Sequence, residues 1–157
     1  PRLRAEDIVA EPLISLKGLK KQDIGERIEE LFQSVGLRSE QRRLFPHQFS
    51  GGQRQRLGIA RAISTQPKLV ICDEPVSALD VAVQAQILNL LTDLQKKFEL
   101  TYLFISHDLG VIQHMCDSIA VMLDGKIVEY SDRINLFERP KNNYTKKLLS
   151  AVPKLGS

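Results

Sequence analysis

The sequence predicts an α/β protein: a parallel sheet with flanking helices, plus a helical subdomain at its N-terminal side. Three observations carry this. Residues 1 to about 48 hold apolar positions at helical spacing. Lys68-Leu69-Val70-Ile71-Cys72 and Leu100 to Ile105 are short apolar runs, as expected of buried parallel strands. Between them Val83, Ile87, Leu90, Leu91, Leu94 and Phe98 keep the register of one long helix. Strand, helix, strand in that order is a right-handed crossover in a parallel sheet. The expected division is a helical subdomain over 1–65, ending in the helix after Ser50, and an α/β part over 66–157.

Each element has a local reason. Ala5 to Ala10 is helical, with Pro12 expected to stop it. Asp23 to Val35 places Ile24, Ile28, Leu31, Phe32 and Val35 at the helical period, with Gly36 just past the end. Ser39 caps a short helix through Leu44, which Pro46 ends. Ser50 is a good N-cap for the next helix, which buries Leu57, Ala60 and Ile63 and turns arginines outward. Ser64-Thr65-Gln66-Pro67 breaks the chain before the first strand, and Asp80 caps the long helix to about Phe98. A short helix covers Leu109 to Cys116. Asp124-Gly125 is a two-residue hairpin signal between Ile119 to Leu123 and Lys126 to Tyr130. Asp132 to Glu138 and Tyr144 to Ala151 are terminal helices separated by Pro140.

Composition narrows the class. The chain has 157 residues, is 43% hydrophobic and 26% charged, and carries a net charge of +3. That is an ordinary globular balance, too weakly basic to argue for nucleic acid, and no aromatic-interleaved basic patch occurs. Cys72 and Cys116 lack a Cys-x-x-Cys spacing and lie among apolar residues, which fits buried thiols in a reducing compartment. No apolar run is long enough to span a bilayer, and Pro1 to Asp7 lacks a signal-peptide core, so a cytoplasmic setting is the default. The sequence opens without Met, in what reads as the middle of a longer protein.

Chemistry concentrates at four places. Ser50-Gly51-Gly52-Gln53 opens a helix with bare N–H groups, a hydroxyl and nearby guanidinium groups. That is an anion site, phosphate above all; the competing reading is an ordinary capped helix after a glycine turn. Asp73 and Glu74 end one strand, and His107 follows the other, where ligands bind in such sheets. Adjacent carboxylates diverge, so one can face a hard cation such as Mg²⁺ while the other polarises water. His107 can donate to a developing oxyanion, or is simply polar at a turn capped by Asp108. His47 and His114 read as structural.

In order, Phe49 to Gln53, the strand ending Asp73-Glu74-Pro75, Ser77-Ala78-Leu79-Asp80, and Ser106-His107-Asp108 resemble the second half of the nucleotide-binding domain of ATP-binding cassette (ABC) proteins. Phe49 to Gln53 looks like the signature motif, Leu69 to Glu74 like Walker B, Ser77 to Asp80 like the D-loop and His107 like the switch histidine. Pro46-His47-Gln48-Phe49, Val76 to Val81 and the tail Tyr144 to Pro153 are similar to ATPase subunits of dipeptide and oligopeptide importers, with glutathione and nickel importers related. Asn142-Asn143 stands where His-Pro is common, and Tyr130-Ser131 where a glycine is common. No Gly-x-x-x-x-Gly-Lys-Ser/Thr occurs in these residues, so no Walker A loop is expected here.

The resemblance implies a P-loop NTPase-like partial domain working as half of an ATP site. Ser50, Gly51, Gly52 and Gln53 would face the γ-phosphate of ATP held by a partner. Asp73 would hold Mg²⁺ through water, Glu74 would orient the attacking water, His107 would reach the γ-phosphate, and Asp80 would couple two sites. The implied partners are a second ABC ATPase subunit, transmembrane permease subunits and, indirectly, a solute-binding protein, with the chain peripheral on the inner face of the membrane. Tight binding of ATP and Mg²⁺ by these residues alone is not expected. Two other readings are a non-hydrolysing interaction module and part of a non-transport ABC ATPase.

Overall fold

A computed structural model describes residues 2–151; the Val152-Pro153 end of the importer-like tail lies outside the described residues. Two compact units divide at Leu103 and Phe104.

The first unit begins with helices. α1 runs Ala5–Ser15, α2 Gly25–Ser34 and α3 Gly51–Ile63. Contrary to the sequence expectation, Pro12 sits inside α1. An interior proline costs about 3 kcal/mol through its lost N–H and its clash one turn back. Val9, Ala10 and Leu13 are buried around it. Each such aliphatic side chain contributes about 1.5–3 kcal/mol for the larger types, so burial outweighs the break. α2 ends as predicted, with Gly36 at φ +71°. Ser39 starts a 3₁₀ turn, Ser39–Arg43, rather than capping a helix; its hydroxyl bonds to Glu29. Arg42 bridges Glu29 at 3.1 Å and Glu6 at 3.3 Å, which ties α2 and α1 to this turn. Ile24, Leu31, Phe32 and Val35 are fully buried, the core of this lobe.

β1 (Leu69–Asp73), α4 (Val81–Phe98) and β2 (Thr101–Ile105) follow. Thr101 N–H donates to Lys68 O at 2.9 Å. The starts of the two paired strands are therefore adjacent and the pair is parallel. Ile87, Leu91 and Leu94 of α4 are buried, and the Tyr102 hydroxyl donates to Leu91 O. Burial, and then the neighbouring Cys72, push the Tyr102 hydroxyl far above its ordinary titration range, so it stays a donor. The strands were expected to be buried on both faces. Cys72 is buried, but Leu69 is 53% and Ile71 62% exposed. Alternation explains the split, because Leu69 and Ile71 share the face opposite Cys72.

The second unit holds α5 (Leu109–Met115), β3 (Ser118–Leu123), β4 (Lys126–Asp132), α6 (Arg133–Glu138) and α7 (Asn143–Ser150). β3 and β4 are the predicted hairpin, with Asp124 at φ +48° and Gly125 at φ +75° in its turn. Ile112, Ile119, Val121 and Leu136 form its core, with Cys116 packed against them. Neither cysteine forms a disulfide. Asn142 caps α7 by accepting from Tyr144 N–H at 2.8 Å.

Glu129 organises the approach to α7. Its carboxylate accepts from Lys141 N–H at 2.8 Å and Asn142 N–H at 3.0 Å. The Lys141 bond, first, holds its carboxyl below the ordinary value of 4.5. A depressed carboxyl stabilises the fold in full above that ordinary value and loses the contribution as pH falls through the folded one. Urea midpoints should therefore drop as pH falls below the ordinary carboxyl value of 4.5, and Glu129→Gln should shrink that drop. An unchanged pH slope in the variant would show that the bonds contribute nothing.

Candidate functional site

The start of α3 is built by side chains reaching the backbone. Ser50 has extended backbone and accepts from Gln53 N–H through its hydroxyl at 3.3 Å. Gln53 Oε1 accepts from Ser50 N–H at 3.0 Å, completing a capping box. This arrangement uses the acceptor side of each group and leaves two side-chain donors out of the capping box: the hydrogen of the Ser50 hydroxyl and the amide nitrogen of Gln53. Gly51 and Gly52 are the first two helical residues, where N–H groups have no intrahelical acceptor. Hydroxyl, amide and main-chain N–H donors together suit an anion.

The arginines behave differently from the sequence expectation. Arg54 Nε donates to the carbonyls of Pro46 and Phe49, both at 3.1 Å. Arg56 Nη1 donates to Val35 O at 2.7 Å. Arg61 pairs with Glu11 at 3.0 Å. These side chains fasten α3 to α1, to the end of α2 and to the turn that precedes it. An anion approaching this turn would meet the donors of Ser50 to Gln53 first.

The end of β1 supplies the carboxylates. Asp73 is its last residue and is exposed. Glu74 follows at φ +48°. Gln66 and Glu99 share that backbone region at helix ends, and Asp124 in the hairpin turn. Glu74 is set apart, directly after a strand, where a non-glycine residue costs about 1–3 kcal/mol. Its conformation is held by the turn after it. Ser77 donates to Glu74 O from its hydroxyl at 3.1 Å and its N–H at 3.4 Å, and Leu79 N–H donates to Val76 O. Val76 is buried beneath the turn. Asp80 then caps α4 by accepting from Val83 N–H at 2.9 Å.

These two pieces are packed together within the first unit. A β-carbon built at Gly51 would lie 3.4 Å from Leu79 Cδ2, and one at Gly52 would lie 2.6 Å from Val83 Cγ1. The helix start at Ser50 to Gln53 and the turn from Glu74 to Asp80 thus adjoin. Neither Leu79 nor Val83 was singled out as a site residue by sequence, although Val83 lies in the predicted helix register. The capping box was readable from the Ser-x-x-Gln spacing. His107 belongs to the second unit and is exposed, one residue before Asp108. Asp108 accepts from Gly110 and Val111 N–H groups and so caps α5. His47 stacks on Phe45, in keeping with a structural role.

Among the described residues, no group of three or more His, Cys, Asp or Glu side chains is placed to hold a metal ion. A single exposed carboxylate at Asp73 suits a hydrated Mg²⁺ whose remaining ligands are water and phosphate. Among the described residues, no helix is long and apolar enough to cross a membrane.

Comparison with known proteins decides the family. The model of the ABC transporter family matches residues 1–77. The oligopeptide transport ATP-binding protein OppF of Lactococcus lactis is 51% identical over 155 residues, covering 99% of this chain and 49% of that protein. The chain belongs to the ABC transporter family. OppD of Mycobacterium tuberculosis is 52% identical over 98% of the chain and 25% of its own length. The glutathione import ATP-binding protein GsiA of Pectobacterium atrosepticum is 50% identical over 98% and 25%. This ABC chain spans about half the length of the OppF relatives, and the similarity runs through both of its units.

Proposed function

We propose that this chain supplies the signature side of an ATP site in the ATP-binding subunit of an importer for peptides, with the phosphate-binding loop of that site on a partner subunit. The observation that carries this reading is the adjoining of the capped start of α3 and the turn that follows Asp73-Glu74. The helix start that offers anion donors then lies beside the turn that follows the two carboxylates. Relatives named for oligopeptide, di/tripeptide and glutathione transport support the peptide assignment.

Each residue takes a role that its chemistry allows. Ser50 and Gln53 donate side-chain hydrogen bonds to the γ-phosphate, and Gly51 and Gly52 offer main-chain N–H groups. When bound, Mg²⁺–ATP supplies the electrophilic phosphoryl group with its charge partly neutralised. Asp73 holds the metal through water. Glu74 accepts a hydrogen bond from the attacking water and fixes its orientation. His107 donates to the γ-phosphate. Asp80 couples the two sites of an ABC dimer through its position at the head of α4. The partners are a second ABC ATPase subunit, permease subunits in the membrane and, through them, a solute-binding protein. The place of work is the inner face of the cell membrane.

Charge stabilisation of phosphates needs the cradle and lysine of a P-loop, and these 157 residues contain no such motif. Calorimetry with Mg²⁺–ATP on this chain alone should therefore show no binding in the micromolar range. Micromolar affinity would mean that the donors at Ser50 to Gln53 hold nucleotide without a partner, contrary to the proposal.

A further inference from the structure

We propose that Val83 is a positioning residue that makes glycine obligatory at position 52, locking the first turn of α3 to the first turn of α4. The lock rests on packing alone. Its consequence for ATP rests on the reading under Proposed function.

The two glycines are not there for their backbone angles. Gly18, Gly36 and Gly125 have positive φ; Gly51 and Gly52 do not. They are helical residues, and glycine is the poorest helix former apart from proline. Access for a phosphate from outside is one explanation. The structure supplies another, from inside. A β-carbon at Gly52 would meet Val83 Cγ1 at 2.6 Å, Cβ at 3.9 Å and Cγ2 at 4.0 Å. Carbon atoms in contact sit about 3.5–4.0 Å apart, so something would have to move.

Val83 is poorly able to move. A β-branched side chain in a helix has one strongly preferred rotamer. Its backbone is also pinned, since Val83 N–H is the group that Asp80 caps at 2.9 Å. Displacing Val83 therefore disturbs the Asp80 cap, and through it the turn running back to Glu74. Gly51 differs: its β-carbon would meet only Leu79 Cδ2, the far end of a flexible side chain, at 3.4 Å. Gly58 differs again, with nothing within 4 Å. Three glycines of one helix thus have three predicted responses to alanine. Because the contact is rigid, the anion-facing turn and the segment from Glu74 to Asp80 are carried as one body.

A double-mutant cycle on the full chain tests this. Gly52→Ala should lower the Tm by roughly 5–10 °C, while Gly58→Ala should raise it by a few degrees. In a Val83→Ala background the Gly52→Ala cost should vanish. In a Val83→Thr background, which keeps the branch, it should persist. Equal Gly52→Ala costs in all three backgrounds would overturn the lock. The second readout is Mg²⁺–ATP-dependent association with an ABC subunit carrying an intact P-loop. Gly52→Ala should abolish it, and the Gly52→Ala, Val83→Ala double variant should recover it to within about tenfold. Recovery of Tm without recovery of association would overturn the claim that Val83 is what makes the glycine obligatory. Absence of association in the unmodified chain would defeat the functional reading, leaving the stability cycle to decide the lock.

Discussion

Replacing Glu74 by glutamine in the full-length subunit should reduce ATP turnover by about a hundredfold or more, the scale of losing a positioned proton acceptor, while ATP-bound dimers persist. Glutamine keeps the size of the side chain and one acceptor oxygen but cannot take charge from a polarised water. It also leaves the backbone problem unchanged, since Gln and Glu are equally uncomfortable at φ +48°. Ser77 and Val76 still hold the turn from below. Glu74→Gly separates the two effects further. Glycine relieves the strained backbone, so the variant should lose turnover while its backbone strain of about 1–3 kcal/mol is removed. Turnover assays on vesicle-bound or detergent-solubilised subunit, paired with denaturation midpoints, read both quantities. Turnover surviving in Glu74→Gln would remove this residue from the water-orienting role.

What the sequence made legible was mostly local. Asp80 and Asp108 each cap the helix that follows, because an aspartate oxygen needs only the next two or three N–H groups. The parallel pair, the long helix between its strands and the Asp124-Gly125 hairpin were legible for the same reason. Pro12 was misread because its cost is local while the burial of Val9 and Leu13 that offsets it is tertiary. The partners of the α3 arginines were not legible either. Arg56 finds the Val35 carbonyl across the lobe, a contact that no spacing rule contains. Exposure of Leu69 and Ile71 was hidden as well, since an apolar run says what a strand prefers and not what covers it.

The candidate site divides along the same line. Ser50 to Gln53, Asp73, Glu74, Asp80 and His107 could be picked out by type and order. The left-handed backbone of Glu74 could not, because it is imposed by Ser77 and the buried Val76. Nor could the approach of Val83 to Gly52, which lies between two helices separated by a strand. Only packing brings the start of α3 against the turn that ends at Asp80.

The central claim is that Ser50 to Gln53 meet a nucleotide held by another subunit. Its most direct test is the affinity of this chain for an ABC subunit with an intact P-loop, measured by sedimentation with and without Mg²⁺–ATP. Ser50 contributes twice: it caps α3, worth about 1 kcal/mol, and its hydroxyl donates a charge-assisted bond worth about 1.5–3 kcal/mol. Association should therefore require Mg²⁺–ATP, and Ser50→Ala should weaken it by about a hundredfold. Association of equal strength without nucleotide, unchanged in Ser50→Ala, would contradict the account.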